Sequence, residues 1–354
     1  MVLRQIADVL GAKSVPSTEI RGTAAGNCDE NAQSSANDRP DTFARVASQG
    51  PRAGGTVISN QGRLETEINP QLGKLDFLYG SRLGRWVRPV LTRTALPSLV
   101  AGTYYDTRFS RRHIEAFVKS YGIDMNEYIR SNPSDYASFN DFFARKIKPE
   151  LRPVDSDPKV LVSPADSKLL VIENITRKSQ FLVKGKKFDL SFFLDDSKLA
   201  REYKDGTLMI FRLSPQDYHR YHFPTQGVAS EAKRIAGKYE SVNPIVYNTG
   251  IDCLGENERR LTVLDTEEFG TVAMVAVGAL CVGRVRETYT SNVVQPKGSE
   301  AGYFQFGGST VALLFKKGAL EVNPDFLSNS RQGIETVVKM GESIGVSRKN
   351  EATS

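Results

Sequence analysis

Near the C-terminal end of this 354-residue sequence, Gly307-Gly308-Ser309-Thr310 follows Phe304-Gln305-Phe306 and leads into the apolar run Ala312-Leu313-Leu314-Phe315. Two glycines leave the backbone open beside a hydroxyl that can reach the preceding carbonyl. Attack of the Ser309 Oγ on the Gly308 carbonyl would convert amide to ester. Elimination would then break the chain between residues 308 and 309 and leave dehydroalanine. Hydrolysis of that group loses ammonia and leaves a pyruvoyl ketone at a new N-terminus, able to do the work of pyridoxal phosphate. Taken alone, the tetrapeptide reads more readily as a hairpin turn. Its surroundings decide.

Such chemistry needs a proton carrier, and the sequence has three histidines, His113, His219 and His222. The last two lie in Leu213-Ser214-Pro215-Gln216-Asp217-Tyr218-His219-Arg220-Tyr221-His222-Phe223-Pro224, a segment bracketed by prolines and preceded by a strand-like run. Imidazole titrates near neutral pH, which suits it to general acid and base work. Upstream, Ser163-Pro164-Ala165-Asp166-Ser167 places a carboxylate in a turn between two apolar strands, ordinarily a turn-forming role. A hydroxyl, an imidazole and a carboxylate are nonetheless the parts of a Ser–His–Asp arrangement, which geometry and not chain order defines. His113 sits on an amphipathic helical pattern and reads as structural.

The elements that must position these groups fall into three stretches. Residues 1–70 are rich in Gly, Ser, Ala, Asn and Gln without a sustained period, so a largely disordered segment is expected. Residues 71–153 read as helical. Leu83-Gly84-Arg85-Trp86-Val87-Arg88-Pro89-Val90 carries the single Trp among spaced arginines, the pattern of a basic amphipathic helix that packs on its own domain or lies in a bilayer interface. Ser110 is expected to cap a helix bearing Ile114, Phe117, Val118 and Tyr121, and a second helix is expected over 132–147, with its aromatics in the core. From 154 onward short β-rich runs dominate (Val160–Val162, Lys168–Ile172, Thr207–Leu213, Val272–Val277), with one helical interruption at Ser191–Tyr203. The fold class is α+β: a helical N-terminal region followed by a mostly antiparallel β-rich catalytic domain over 154–354.

Composition sets the compartment and excludes some classes. Hydrophobic content of 40% with 25% charged residues describes a soluble globular protein, and no run reaches the ~18 apolar residues of a membrane-spanning helix. Cys28, Cys253 and Cys281 form neither a disulfide framework nor a metal-ligand spacing, so no metal is expected. The N-terminal residues are too polar for a secretory signal, and a cytoplasmic address follows. A net charge of +6 fits attraction to an anionic surface. Nucleic acid ranks low as a partner because no Arg/Lys-rich helix or stacking motif supports it.

Several further motifs occur in order before the Gly-Gly-Ser-Thr tetrapeptide. They are Asp141-Phe142-Phe143-Ala144-Arg145-Lys146-Ile147-Lys148-Pro149, Arg152-Pro153, the turn at 163–166, Asp217–His222, Val242-Asn243-Pro244, Val277-Gly278-Ala279 and Lys297–Phe304. Together they resemble the phosphatidylserine decarboxylase family from about Leu75 to Gly345. The resemblance implies a proenzyme that cuts itself between Gly308 and Ser309 into a β chain (1–308) and an α chain (309–354), with Ser309 becoming the covalent pyruvoyl cofactor. It implies that Asp166 orients His222, that His222 is general base for the acyl shift, and that His219 serves decarboxylation. The ketone would condense with the amine of phosphatidylserine and accept the electrons released with carbon dioxide, giving phosphatidylethanolamine. An anionic membrane surface is then an expected partner of a peripheral enzyme; a homodimer is left open.

Two positions depart from the family pattern: Ser167 where Gly is usual and Arg284 where a small serine is typical. They keep open a decarboxylase of a free amino acid, aromatic ones included. A membrane-binding relative that never cleaves is the alternative from a different class.

Overall fold

The computed structural model describes residues 56–59, 62–67, 70, 72–93, 95–175, 178–179, 188–247, 249–280, 285–307 and 309–349. The apolar runs beginning near 167, 207, 270 and 309 lack the polar alternation of a half-solvated strand, and they become strands covered on both faces. In chain order the strands that matter to the site are β1 (Ser167–Ile172), β2 (Thr207–Leu213), β3 (Arg220–His222), β4 (Arg259–Thr266), β5 (Gly270–Val277), β6 (Glu300–Phe304), β7 (Ser309–Phe315) and β8 (Glu335–Val338). One sheet runs β4-β5-β7-β2-β1-β8 with every neighbouring pair antiparallel. A second, three-stranded sheet sets β6 between Val285–Glu287 and β3. The chain is α+β with mostly antiparallel sheets, as the sequence predicts.

Side chains alternate between two cores across the large sheet. Leu208, Ile210, Ala312 and Leu314 enter one, while Met209, Phe211, Leu213, Val311, Leu313 and Phe315 enter the other. Each Leu, Ile, Val, Met or Phe among them contributes on the order of 1.5–3 kcal/mol by leaving water. Strand β7, which starts at Ser309, is therefore anchored along its whole length.

Residues 56–67 depart from the expected disordered segment. Thr56–Ile58 pairs in parallel with β8, and Leu64–Thr66 pairs antiparallel with Thr56–Ile58, extending the sheet by two strands. Composition hid this because two three-residue strands are too short for a period to register. Residues 1–55 lie outside the described residues.

The helical region contains α1 (Arg82–Thr92), α2 (Ala95–Asp106), α3 (Ile114–Tyr121) and α4 (Phe139–Phe143). Ser81 caps α1 by accepting from the Gly84 N–H. The inner side of α1 is fixed by the buried Glu240, which accepts from the Tyr79 hydroxyl at 2.9 Å and the Thr92 hydroxyl at 3.0 Å. No helix among the described residues is long and apolar enough to cross a membrane.

Two helix expectations need correction. Ser110 does not cap α3: it is buried within a 3-10 turn (Arg108–His113), and its Oγ accepts from the Phe139 N–H at 2.8 Å. The single helix expected over 132–147 is a 3-10 turn at Pro133–Asp135 followed by the short α4, because Asn132 and Ser138 each cap the segment after them. Side chains that bond to nearby backbone N–H groups start helices and do not extend them. The expected packing role of the aromatics holds: Phe117, Phe139, Phe142 and Phe143 share a cluster with Tyr105, Tyr136 and Phe306.

Candidate active site

Ser309 is the first residue of β7, wholly buried, and paired in register with Leu213 at the end of β2. That pairing puts the hydroxyl beside the loop that leaves β2 and carries the histidines. The Nδ1 of His219 lies 3.2 Å from the Ser309 Oγ, and its Nε2 lies 3.0 Å from the Ser214 carbonyl oxygen. A carbonyl oxygen only accepts, so Nε2 carries the hydrogen. Burial, then the Arg145 cation, hold His219 well below the ordinary imidazole value. In that neutral ring Nδ1 keeps its lone pair and accepts from Ser309. The Phe143 ring stacks on the imidazole with centroids 3.9 Å apart, fixing its plane.

Phe306, three residues before the hydroxyl, is held from the helical region. The Phe306 N–H donates to the Asn140 side chain at 3.0 Å, and the Phe306 ring packs against Tyr105, Phe139 and Phe143. Gly307 has φ +138°, a region that favours glycine. Gly308, the expected cleavage partner of Ser309, lies outside the described residues.

His222, at the end of β3, is placed differently. Its Nδ1 donates to the Gly298 carbonyl at 3.0 Å and its Nε2 accepts from the Tyr218 hydroxyl at 3.1 Å. Burial lowers its pKa, while the Gly298 carbonyl and the charges of Glu300 and Asp166 act upward against Arg220. Electrostatics and contact thus separate the two histidines. His219 touches Ser309 but has cations for neighbours; His222 has carboxylates for neighbours but is bonded elsewhere.

Asp166 is also placed differently from the expectation that it orients His222. Its carboxylate accepts from Arg152 Nε at 2.9 Å and Nη2 at 2.6 Å, and from the Met340 N–H at 2.9 Å. Burial opposes its ionisation, but the bonds from Arg152 and the charge of Lys339 hold the carboxyl below the usual range. The groups that orient His222 by hydrogen bonds are the Gly298 carbonyl and the Tyr218 hydroxyl. Sequence reasoning quoted Arg152 without giving it a partner, and it passed over Phe143, Phe306 and Asn140 as supports of the site.

Of the two unusual residues, Ser167 is a strand residue paired with Val338, so no glycine-specific backbone is needed there. Arg284 and Cys281 lie outside the described residues, as does Cys28; Cys253 is buried. No group of His, Cys, Asp and Glu side chains that could hold a metal ion is found among the described residues.

Comparison with known proteins decides the family. The model for "Phosphatidylserine decarboxylase" matches residues 139–346. A "Phosphatidylserine decarboxylase proenzyme" of Fusobacterium nucleatum subsp. nucleatum is 42% identical over 284 residues, covering 80% of this chain and 94% of the relative. The chain belongs to the phosphatidylserine decarboxylase family. Proenzymes of the same name from Clostridium perfringens (39% identical; 77% of this chain, 92% of the relative) and Chlamydia muridarum (41%; 77% and 90%) are similar over nearly their whole lengths. The matched stretch holds Arg152, Asp166, His219, His222 and Ser309. The two N-terminal strands and helices α1–α3 precede the family match.

Proposed function

We propose that this chain is a self-processing, pyruvoyl-dependent decarboxylase that converts phosphatidylserine to phosphatidylethanolamine and carbon dioxide. The observation that carries the reading is the buried Ser309 hydroxyl bonded to the His219 imidazole at the start of β7. A buried hydroxyl bonded to a neutral imidazole is held in a fixed direction, as a nucleophile awaiting its base must be. In the proposed cut, Ser309 Oγ forms a bond to the Gly308 carbonyl carbon as the amide C–N bond breaks. The Ser309 Cα proton and the acyl oxygen are then eliminated, leaving Gly308 as a carboxylate. One water replaces the nitrogen of residue 309, which departs as ammonia.

The two imidazoles divide the work. His222 is the base of the acyl shift: burial lowers its pKa, but Glu300 and Asp166 oppose that, whereas burial and the Arg145 cation hold His219 further down. To act, it releases Tyr218 and turns towards Ser309. His219, already against residue 309, aligns the hydroxyl before the cut and afterwards returns a proton to the substrate carbon. A pyruvoyl group formed at 309 would supply a ketone for the substrate amine and an electron sink for decarboxylation.

The membrane is the proposed site of action. On α1, Leu83, Trp86 and Val90 are 63%, 83% and 69% exposed, one ridge at helical spacing, with Arg82, Arg85 and Arg93 also exposed. An apolar ridge flanked by arginines fits an interface of anionic lipid. The test is turnover of detergent-dispersed phosphatidylserine against a panel of free amino acids, with Ser309→Ala as control. Release of phosphatidylethanolamine by the unsubstituted chain alone supports the reading; turnover of amino acids only would replace the substrate.

A further inference from the structure

Support for His219 reaches into the chain segment that precedes the family match. Glu67 follows the strand Leu64–Thr66, and its side chain is buried against the end of β2. It accepts from Arg212 Nη2 at 2.9 Å and is hydrogen bonded to the Ser214 hydroxyl. Ser214 is also held by Asp217, which accepts from its backbone N–H at 2.7 Å and is itself clamped by Lys168 at 2.6 Å. The carbonyl of the same Ser214 is the acceptor for His219 Nε2. Moving this carbonyl would free the ring to turn or to shift its hydrogen to Nδ1, the nitrogen facing Ser309.

We propose that Glu67 is a positioning residue: acting through Ser214, it holds His219 in the Nε2–H tautomer with Nδ1 directed at residue 309. The two N-terminal strands thereby become part of the machinery that serves Ser309. The inference deepens the self-processing reading and rests on it. Glu67 and Glu335 share Arg212, whose Nη2 lies 2.5 Å from Glu335, so neutralising Glu67 leaves the guanidinium a buried partner.

The test uses the full chain. In an uncut Ser309→Ala protein, the nitrogen-15 spectrum of the His219 ring is expected to show a protonated Nε2 and a bare Nδ1; adding Glu67→Gln should populate the other tautomer. In the otherwise unsubstituted chain, Glu67→Gln should slow the cut about tenfold or more, a factor equivalent to ~1.4 kcal/mol. The matured fraction should show lowered kcat with KM unchanged. Ser214→Ala, which removes the hydroxyl but keeps the carbonyl, should move both readouts in the same direction and serves if Glu67→Gln fails to fold. An unchanged tautomer, or cutting and kcat within about twofold of the unsubstituted chain, would overturn the assignment. If the unsubstituted chain is never cut, the self-processing reading fails, while the spectrum still judges the placement of His219.

Discussion

Arg152 and Asp166 meet through two hydrogen bonds inside the protein, Nε to one carboxylate oxygen and Nη2 to the other, and the Arg152 Nη2 also reaches Glu127 at 3.0 Å. Removing one partner of such a pair strands the other charge away from water, which typically costs about 3–5 kcal/mol. Arg152→Met should therefore lower stability by about that amount in a chemical-denaturation series. Arg152→Lys, which cannot reproduce the fork, should recover only part of it. A change below ~1 kcal/mol for Arg152→Met would show that Asp166 is satisfied by the Met340 N–H and Lys339 alone.

Acid sensitivity should report on Glu67. Burial tends to raise its carboxyl, but the charges of Arg212 and Lys168 and the bonds from Arg212 and Ser214 bring it from 4.5 to about 2. A carboxyl depressed in the folded state stabilises above its unfolded value and loses that stabilisation as pH falls through the folded one. The stability advantage of the unsubstituted chain over Glu67→Gln should then shrink by ~3 kcal/mol between about pH 4.5 and about pH 2. Denaturation of both proteins across that window measures it, and parallel curves would remove Glu67 from the buried cluster.

The two histidines should separate on substitution. His222→Ala should leave the chain uncut or slow the cut by the ~10²–10⁴-fold associated with a lost general base. His219→Ala should still mature, though more slowly, and then decarboxylate poorly. Time courses of chain appearance on denaturing gels, followed by carbon dioxide release from the matured fraction, distinguish them. Cutting retained in His222→Ala and abolished in His219→Ala would assign the base to the imidazole already in contact with Ser309.

Trp86 gives the membrane proposal its sharpest handle. Withdrawing a large apolar side chain from a bilayer interface forfeits ~1.5–3 kcal/mol, or at least about tenfold in affinity. Trp86→Ser should weaken binding to vesicles containing anionic lipid by that factor in a sedimentation assay, while self-cleavage proceeds at the ordinary rate. Equal binding would show that α1 does not face lipid.

What the sequence disclosed follows from how local each signal is. The strands β1, β2 and β5 were legible because a run of buried apolar residues is itself the signal, whereas Ser309 and Thr310, which read as part of a turn, open strand β7. Ser309, His219, His222 and Asp166 stand out as candidates in the sequence because each sits in a short contiguous motif. Contacts between distant segments were not legible: Glu67 meets Arg212 across 145 residues, and Phe306 meets Asn140 across 166. The pairing of Asp166 with Arg152 was hidden for the same reason. Nothing local told the carboxylate to choose Arg152, 14 residues before it. The helix expected over 132–147 failed where Ser138 offered the backbone a cap, a competition that hydrophobic spacing does not register.

The most direct test of the central claim is a denaturing intact-mass spectrum of the purified, folded chain. The account predicts two species, matching residues 1–308 and 309–354, with the smaller lighter by one ammonia than a Ser-terminated peptide. Ser309→Ala should give one uncut mass. A single full-length mass from the folded, unsubstituted chain would contradict the account.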